Sequence, residues 1–108
     1  MDPLMPGDRL EALRAILAQN PADSLARYGL AMEYVKTGSY ESAVAEFRAL
    51  LTAYPDYIYA YFHAGQTLEK LDRIPEAQEM YRQGIDSARR KGDAHAAEEL
   101  AEALGRLA

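Results

Sequence analysis

The amino-acid sequence repeats itself at an interval of thirty-four residues, and that period confines the chain to a stack of similar units. Pro21 and Pro55 stand thirty-four residues apart, and eight residues before each lies a large apolar side chain, Leu13 and Phe47. One more step in the same register reaches Tyr81. Leu17, Leu51 and Ile85 form a second column, and Arg14, Arg48 and Arg82 a third. Three columns sharing one spacing are not what an unpatterned sequence produces. Each unit is too short to bury an apolar face alone, so neighbours must cover one another.

Within the period the pattern predicts helix, short turn, helix. From Ser24 to Lys36 the residues Ala26, Leu30, Ala31 and Tyr34 recur at helical spacing and share a face. Gly38 stops that helix, because glycine enters the left-handed conformation at little cost. The next helix starts near Tyr40 and turns Ala43, Val44, Phe47, Leu50 and Leu51 inward. Pro55 ends it, and Asp56 is placed to cap its successor. The second period repeats the scheme: Ala60, Tyr61, Ala64, Gly65 and Leu68 form one face, Leu71-Asp72-Arg73 makes the turn, and Pro75-Glu76 opens a helix carrying Ala77, Tyr81 and Ile85. At the front, Asp8 and Glu11 have the spacing of a capping box ahead of Leu10, Leu13, Ile16 and Leu17. At the end, Gly92-Asp93 introduces a helix with Leu100, Leu104 and Leu107 on one side. The expectation is an all-α chain of about six helices. Composition agrees: Ala, Leu and Glu dominate, and β-branched runs from which a sheet could be built are missing.

These residues resemble the tetratricopeptide repeat family. Leu30-Ala31-x-x-Tyr34, Gly38-x-Tyr40, Ala43-x-x-x-Phe47 and Pro55 look like one complete repeat, and Ala64-Gly65-x-x-Leu68 with Ala77-x-x-x-Tyr81 like a second. The small members, Ala31, Ala43, Gly65 and Ala77, stand where paired helices approach closely, and Leu30, Phe47 and Tyr81 fill the space beside them. The resemblance implies a right-handed superhelical array of antiparallel helix pairs in a single domain over residues 1–108. In it an N-terminal helix spans 8–21, repeats span 24–57 and 58–91, and a C-terminal capping helix spans 93–107. Arg9 stands where the family has a small residue, Arg27 and Tyr61 where it often has tryptophan, Gly84 for a larger core residue and Arg89 for the proline.

In such arrays the first helix of each pair lines a concave surface that holds extended peptides. By register that surface carries Leu25, Tyr28, Met32 and Val35 from the first repeat, and Tyr59, Phe62, His63, Gln66 and Glu69 from the second. The set is rich in aromatic and aliphatic side chains, which bury large area at low entropic cost. The competing explanation is that these residues pack beneath a terminal helix, with Gln66, Glu69 and Lys70 at its wet end. The lysines, asparagine and arginine with which some family members grip a terminal carboxylate are missing, since Tyr28, Met32 and His63 occupy those places. Tyr54, Tyr57, Tyr59 and Tyr61 crowd the turn between repeats, and the expectation is that alternate members pack between repeats with their hydroxyls in water.

No catalytic constellation is present in the sequence. His63 and His95 lack the HExxH and H-x-x-x-H spacings of a metal site, and no glycine-rich phosphate loop or G-x-S-x-G elbow occurs. Glu98, Glu99 and Glu102 read as the solvated side of an amphipathic helix. With no cysteine, disulfides and thiolate chemistry are excluded. The formal charge of −5 disfavours phosphate backbones, and the short Arg89-Arg90-Lys91 cluster falls at a helix end, where cations offset the unpaired carbonyls. Residues Met1 to Asp8 lack the basic-then-apolar order of a secretory signal, and no apolar run approaches the ~20 residues of a membrane span. A cytoplasmic, non-catalytic interaction module is therefore expected, without cofactor or metal. It would hold a protein or peptide and neither nucleic acid nor membrane, and a homodimer burying the same apolar surface is the alternative.

Overall fold

The computed structural model describes residues 6–108, and every regular element among them is a helix. In chain order these are α1 (Pro6–Gln19), α2 (Ser24–Lys36), α3 (Tyr40–Ala53), α4 (Ile58–Lys70), α5 (Ile74–Arg90) and α6 (Ala94–Arg106). Each packs against the next in antiparallel fashion, while α4 and α6 touch sparsely. The result is an elongated right-handed superhelical array, 45 × 28 × 24 Å.

Local chemistry sets the helix ends. After α2, α4 and α5 the chain makes the same closure, with one residue in the left-handed region: Gly38 at φ 79°, Asp72 at φ 57° and Gly92 at φ 71°. In each case the following amide donates back five residues, Ser39 to Tyr34, Arg73 to Leu68 and Asp93 to Ala88, at 2.8–2.9 Å. Asp72 occupies the place of Gly38 one repeat on; aspartate tolerates this conformation better than most side chains. Asp23 and Asp93 cap α2 and α6, accepting from the amides of Ala26 (2.9 Å) and Ala96 (3.0 Å).

Two expected caps are not observed. Asp56 does not cap α4, whose preceding residue Tyr57 makes no side-chain cap bond. Its carboxylate instead accepts from Ser87 Oγ at 2.9 Å and Arg90 at 2.8 Å, tying the turn before α4 to the end of α5. Asp8 is not a cap either, because α1 begins at Pro6 and Asp8 lies inside its first turn, where its charge still suits the helix dipole.

The core follows the small and large columns. Ala31, Ala43, Phe47, Ala60, Ala64, Leu68, Ala77 and Tyr81 are completely buried. Gly65 faces the Tyr81 ring so closely that a Cβ there would lie 2.3 Å from Cε1. Gly84 explains its own departure from the family pattern. A Cβ on it would meet Tyr61 Cβ at 2.7 Å, so the small residue makes room for the tyrosine that replaces tryptophan across the helix pair. Arg27, at the other tryptophan place, ties α2 to α3 through Glu46 at 2.6 Å. A smaller cluster, Leu17, Ala26 and Leu30, joins α1 to α2.

Because Arg89 replaces the helix-ending proline, α5 runs for seventeen residues against fourteen in α3. The helix that follows therefore starts late. Ser24 and Ile58, the first residues of α2 and α4, are thirty-four apart, but Ala94 lies thirty-six beyond Ile58. With that correction α6 matches α2 and α4: Ala96 and Leu100 are buried as Ala26 and Leu30, and Ala60 and Ala64, are.

Candidate functional site: the face of α2, α4 and α6

Helices α2, α4 and α6 stand side by side along one face. Contacts across it come from the residues named by register. Tyr28 on α2 lies with its ring 5.9 Å from His63 on α4 and 5.2 Å from Tyr57 in the turn. Phe62 sits edge-on to His63 at 5.8 Å and reaches Tyr81 beneath at 6.3 Å. Tyr28 and His63 also border the buried Phe47. Tyr28, Met32, Val35 and Phe62 are all half-buried, resting on the core while showing an edge to solvent. Leu25 is 72% exposed and Tyr59 44%, both large for side chains of their apolarity. Gln66 is exposed.

Glu69 differs from its expected role as a wet-end residue. It is half-buried, accepts a hydrogen bond from the Tyr81 hydroxyl and lies 3.8 Å from Arg106 of α6. Burial and the Glu69 carboxylate push the Tyr81 phenol well above its ordinary range. The sequence register carried no sign of this bond, because Glu69 and Tyr81 belong to different helices of the repeat.

Two clefts open on this face. One, of about 370 Å³, is lined by Val35, His63, Gln66, Thr67, Glu69, Lys70 and Arg106. The other lies between α4 and α6 and is bordered by Phe62, Glu99, Glu102 and Arg106. The terminal helix thus walls one side of the groove without filling it: α6 reaches Phe62 and Glu69 and sets Glu99 beside Tyr59, yet Tyr59 stays 44% exposed and Leu25 72%. Helix α1 packs on α2 through Leu10, Leu13 and Leu17. Packing beneath a terminal helix accounts for part of Phe62 and none of Leu25.

Burial governs the electrostatics of this face. Burial pushes the His63 imidazole below its ordinary pKa, partly opposed by Gln66, and pushes the Tyr28 phenol up. Partial burial and the neighbouring Glu99 raise Tyr59 as well. Among the described residues no acid pairs with His63 to make it a base, and no three His, Asp or Glu side chains converge as metal ligands. His95 is exposed and lies 3.3 Å from Glu99 on the same helix. No described helix is long and apolar enough to cross a membrane.

The tyrosine-rich turn departs from expectation in one respect. Tyr54 and Tyr61 do not leave their hydroxyls in water. Tyr54 donates to the Ala22 carbonyl, and Tyr61 to that of Pro55 at 2.6 Å, so both lock turns between repeats.

Known proteins resemble the chain in both sequence and shape. Tetratricopeptide repeat profiles match residues 10–58 and 58–91. A tetratricopeptide repeat domain protein from Salinibacter ruber shares 38% identity, with 82% of this chain and 89% of that one covered at a TM-score of 0.76. A protein from Bordetella parapertussis is 29% identical over 99% of this chain and 89% of its own, at 0.79. The yeast Sti1 domain solved as a TPR2B-domain:pHsp70 complex is 15% identical, covers 94% and 82%, and has a TM-score of 0.86, a likeness of fold. No curated protein matches the chain.

Proposed function

The chain belongs to the tetratricopeptide repeat family, and from that premise we propose that it is a non-catalytic protein–protein interaction module, a cytoplasmic scaffold or adaptor that holds a peptide or helix against α2, α4 and α6. The observation that carries this reading is the half-exposed apolar row Tyr28, Met32, Val35 and Phe62, continued outward by Leu25 and Tyr59 and only partly covered by α6. Side chains that rest on a rigid core and keep one edge free are already ordered, so a guest that covers them gains apolar burial at small entropic cost. The yeast Sti1 domain, similar in fold, was solved with pHsp70, which is consistent with a guest on this kind of surface. Here the guest's anchors are hydrophobic or aromatic, because Tyr28, Met32 and His63 occupy the places of a terminal-carboxylate clamp.

The test is capture of a binding partner by the wild-type chain and by Tyr28→Ala/Phe62→Ala. Both side chains are half-buried and touch the core, so the double variant melts lower, and circular dichroism must first establish that it is folded. Leu25→Ala supplies the second arm, since a residue 72% exposed contributes little to stability. Loss of capture in both variants supports the groove. Undiminished capture by a folded double variant refutes it. Homo-oligomerisation through the same surface predicts a mass by light scattering that rises with concentration and falls to that of a monomer in the double variant.

A further inference from the structure

The three inner helices share a feature that core packing does not require. Each has thirteen residues, and each ends on a base: Lys36 in α2, Lys70 in α4 and Arg106 in α6. The register persists through the thirty-six-residue step to α6, so the three bases occupy the same structural place on successive helices. Compensation of helix dipoles is the ordinary explanation for a terminal cation. It would apply equally to the outer helices, of which α5 ends on Arg89 and Arg90 while α1 and α3 have no base in the last turn; only the inner helices carry one without exception.

Two of the three bases, Lys36 and Lys70, lack a carboxylate partner among the described residues, as do Arg14, Arg89 and Lys91 outside this rim. Most arginines of this acidic chain are held by carboxylates: Arg27 by Glu46, Arg48 by Glu76, Arg73 by Glu41 and Glu76, Arg90 by Asp56. Among the described residues neither Lys36 nor Lys70 has a carboxylate within 4.0 Å, and Lys70 lies over the Tyr40 ring at 5.8 Å. Arg106 is 3.8 Å from Glu69, whose other oxygen already accepts from Tyr81, and its side chain remains 60% exposed. Lys70 and Arg106 converge on the 370 Å³ cleft that Val35 also borders, next to Lys36 in sequence. At the opposite end of the same helices stand Leu25 and Tyr59. The groove therefore has a basic rim at one end and, on α2 and α4, an apolar rim at the other, where α6 places His95, while Glu99 and Glu102 border the cleft between α4 and α6.

We propose that the occupant of this groove is a peptide segment with internal acidic side chains along one edge, facing Lys36, Lys70 and Arg106, and aliphatic or aromatic side chains along the other. This rests on the groove reading above and adds the chemistry of the guest. Recognition runs through side-chain carboxylates of the segment, so a free C-terminus is not required. Rim charges of this kind act on encounter rate and register and are screened by salt.

The experiment selects peptides from an unbiased random library displayed with blocked C-termini, using three baits. These are the wild type, Lys36→Gln/Lys70→Gln/Arg106→Gln, and Tyr28→Ala/Phe62→Ala, with Arg89→Gln/Lys91→Gln as a charge control outside the groove. Wild type and control should enrich segments in which Asp or Glu alternates with aromatic or aliphatic residues. The triple variant should lose the acidic enrichment and keep the apolar one. The best wild-type peptide should bind the triple variant on the order of tenfold more weakly at low salt, a gap that closes as salt is raised. Neutral or basic consensus peptides from the wild type, no selected peptides at all, or unchanged acidic enrichment with the triple variant overturns the proposal. Identical selections by the aromatic double variant and the wild type would instead remove the groove reading itself, so the two failures are distinguishable.

Discussion

Replacing Gly65 by alanine should destabilise the fold although alanine is the better helix former. Gly65 lies inside α4, where the intrinsic preference for alanine is about 1 kcal/mol in the stabilising direction. Against this stands the ring of Tyr81. A Cβ at position 65 would lie 2.3 Å from Cε1, 2.6 Å from Cζ and 2.8 Å from Cδ1. Ordinary carbon contacts are about 3.5–4.0 Å, so three ring atoms would be violated, the worst by more than ~1 Å. The ring cannot swing aside freely, because Tyr81 is completely buried and its hydroxyl is bound to Glu69. Relief requires α4 and α5 to separate or the ring to rotate and release that bond. Overpacking of this severity costs about 3 kcal/mol or more, at the upper end of its usual range, leaving a net loss of about 2 kcal/mol after the propensity gain.

For a chain of this length that loss corresponds to a fall in Tm of roughly 8–15 °C. Urea unfolding followed by far-ultraviolet circular dichroism measures it directly, with the midpoint moving and the slope unchanged. The mechanism has its own control. In a Tyr81→Leu background the side chain ends short of Cε1 and Cζ, and the cost of Gly65→Ala should shrink by about 1 kcal/mol or more, a coupling that a double-mutant cycle isolates. A Gly65→Ala variant as stable as the wild type, or a cost independent of the residue at 81, would refute the close-approach argument.

Two further outcomes follow from the same geometry. Gly84→Ala should lower stability by about 1–3 kcal/mol in thermal melts, because its Cβ would meet Tyr61 Cβ at 2.7 Å and both Leu100 methyls at 3.1 Å. His63 should make stability fall with acidification: burial depresses its folded pKa, so the unfolded chain takes up the proton first. The loss therefore begins as the pH drops below about 6.5, the unfolded value, and levels off below the folded pKa. Urea midpoints across that window should show a shallower slope for His63→Gln, and an unchanged slope would place the titration elsewhere.

The repeat was legible in the sequence because its signals are local or strictly periodic. Gly38 and Pro55 mark breaks that backbone sterics impose on their own, and the alternation of Ala31, Ala43, Gly65 and Ala77 with Phe47 and Tyr81 repeats at a fixed interval. Asp56 misled because a side chain that can cap a helix can equally reach across a turn, and the choice depends on Ser87 and Arg90, about thirty residues away. The hydroxyls of Tyr54 and Tyr61 were hidden for the same reason, since their acceptors are backbone carbonyls with no sequence signature. The face of α2, α4 and α6 was readable by register, but its depth was not. Burial of Glu69 depends on where α6 falls. The position of α6 depends in turn on Arg89, a substitution that lengthens α5 and delays the next inner helix by two residues.

That delay links core and groove. An inner helix starting at the unshifted register would place Leu104 rather than Arg106 at the thirteenth position, removing the third base from the rim. As built, Arg106 meets Glu69, Glu69 is held by Tyr81, and Tyr81 has its place because Gly65 leaves room for the ring. A glycine buried between two helices thus reaches the open face through one aromatic ring and one carboxylate. Charge at the groove is consequently a property of core packing as well as of surface composition. Repeats with the same exposed residues but a larger side chain at the Gly65 place would not hold Glu69 and Arg106 in this arrangement.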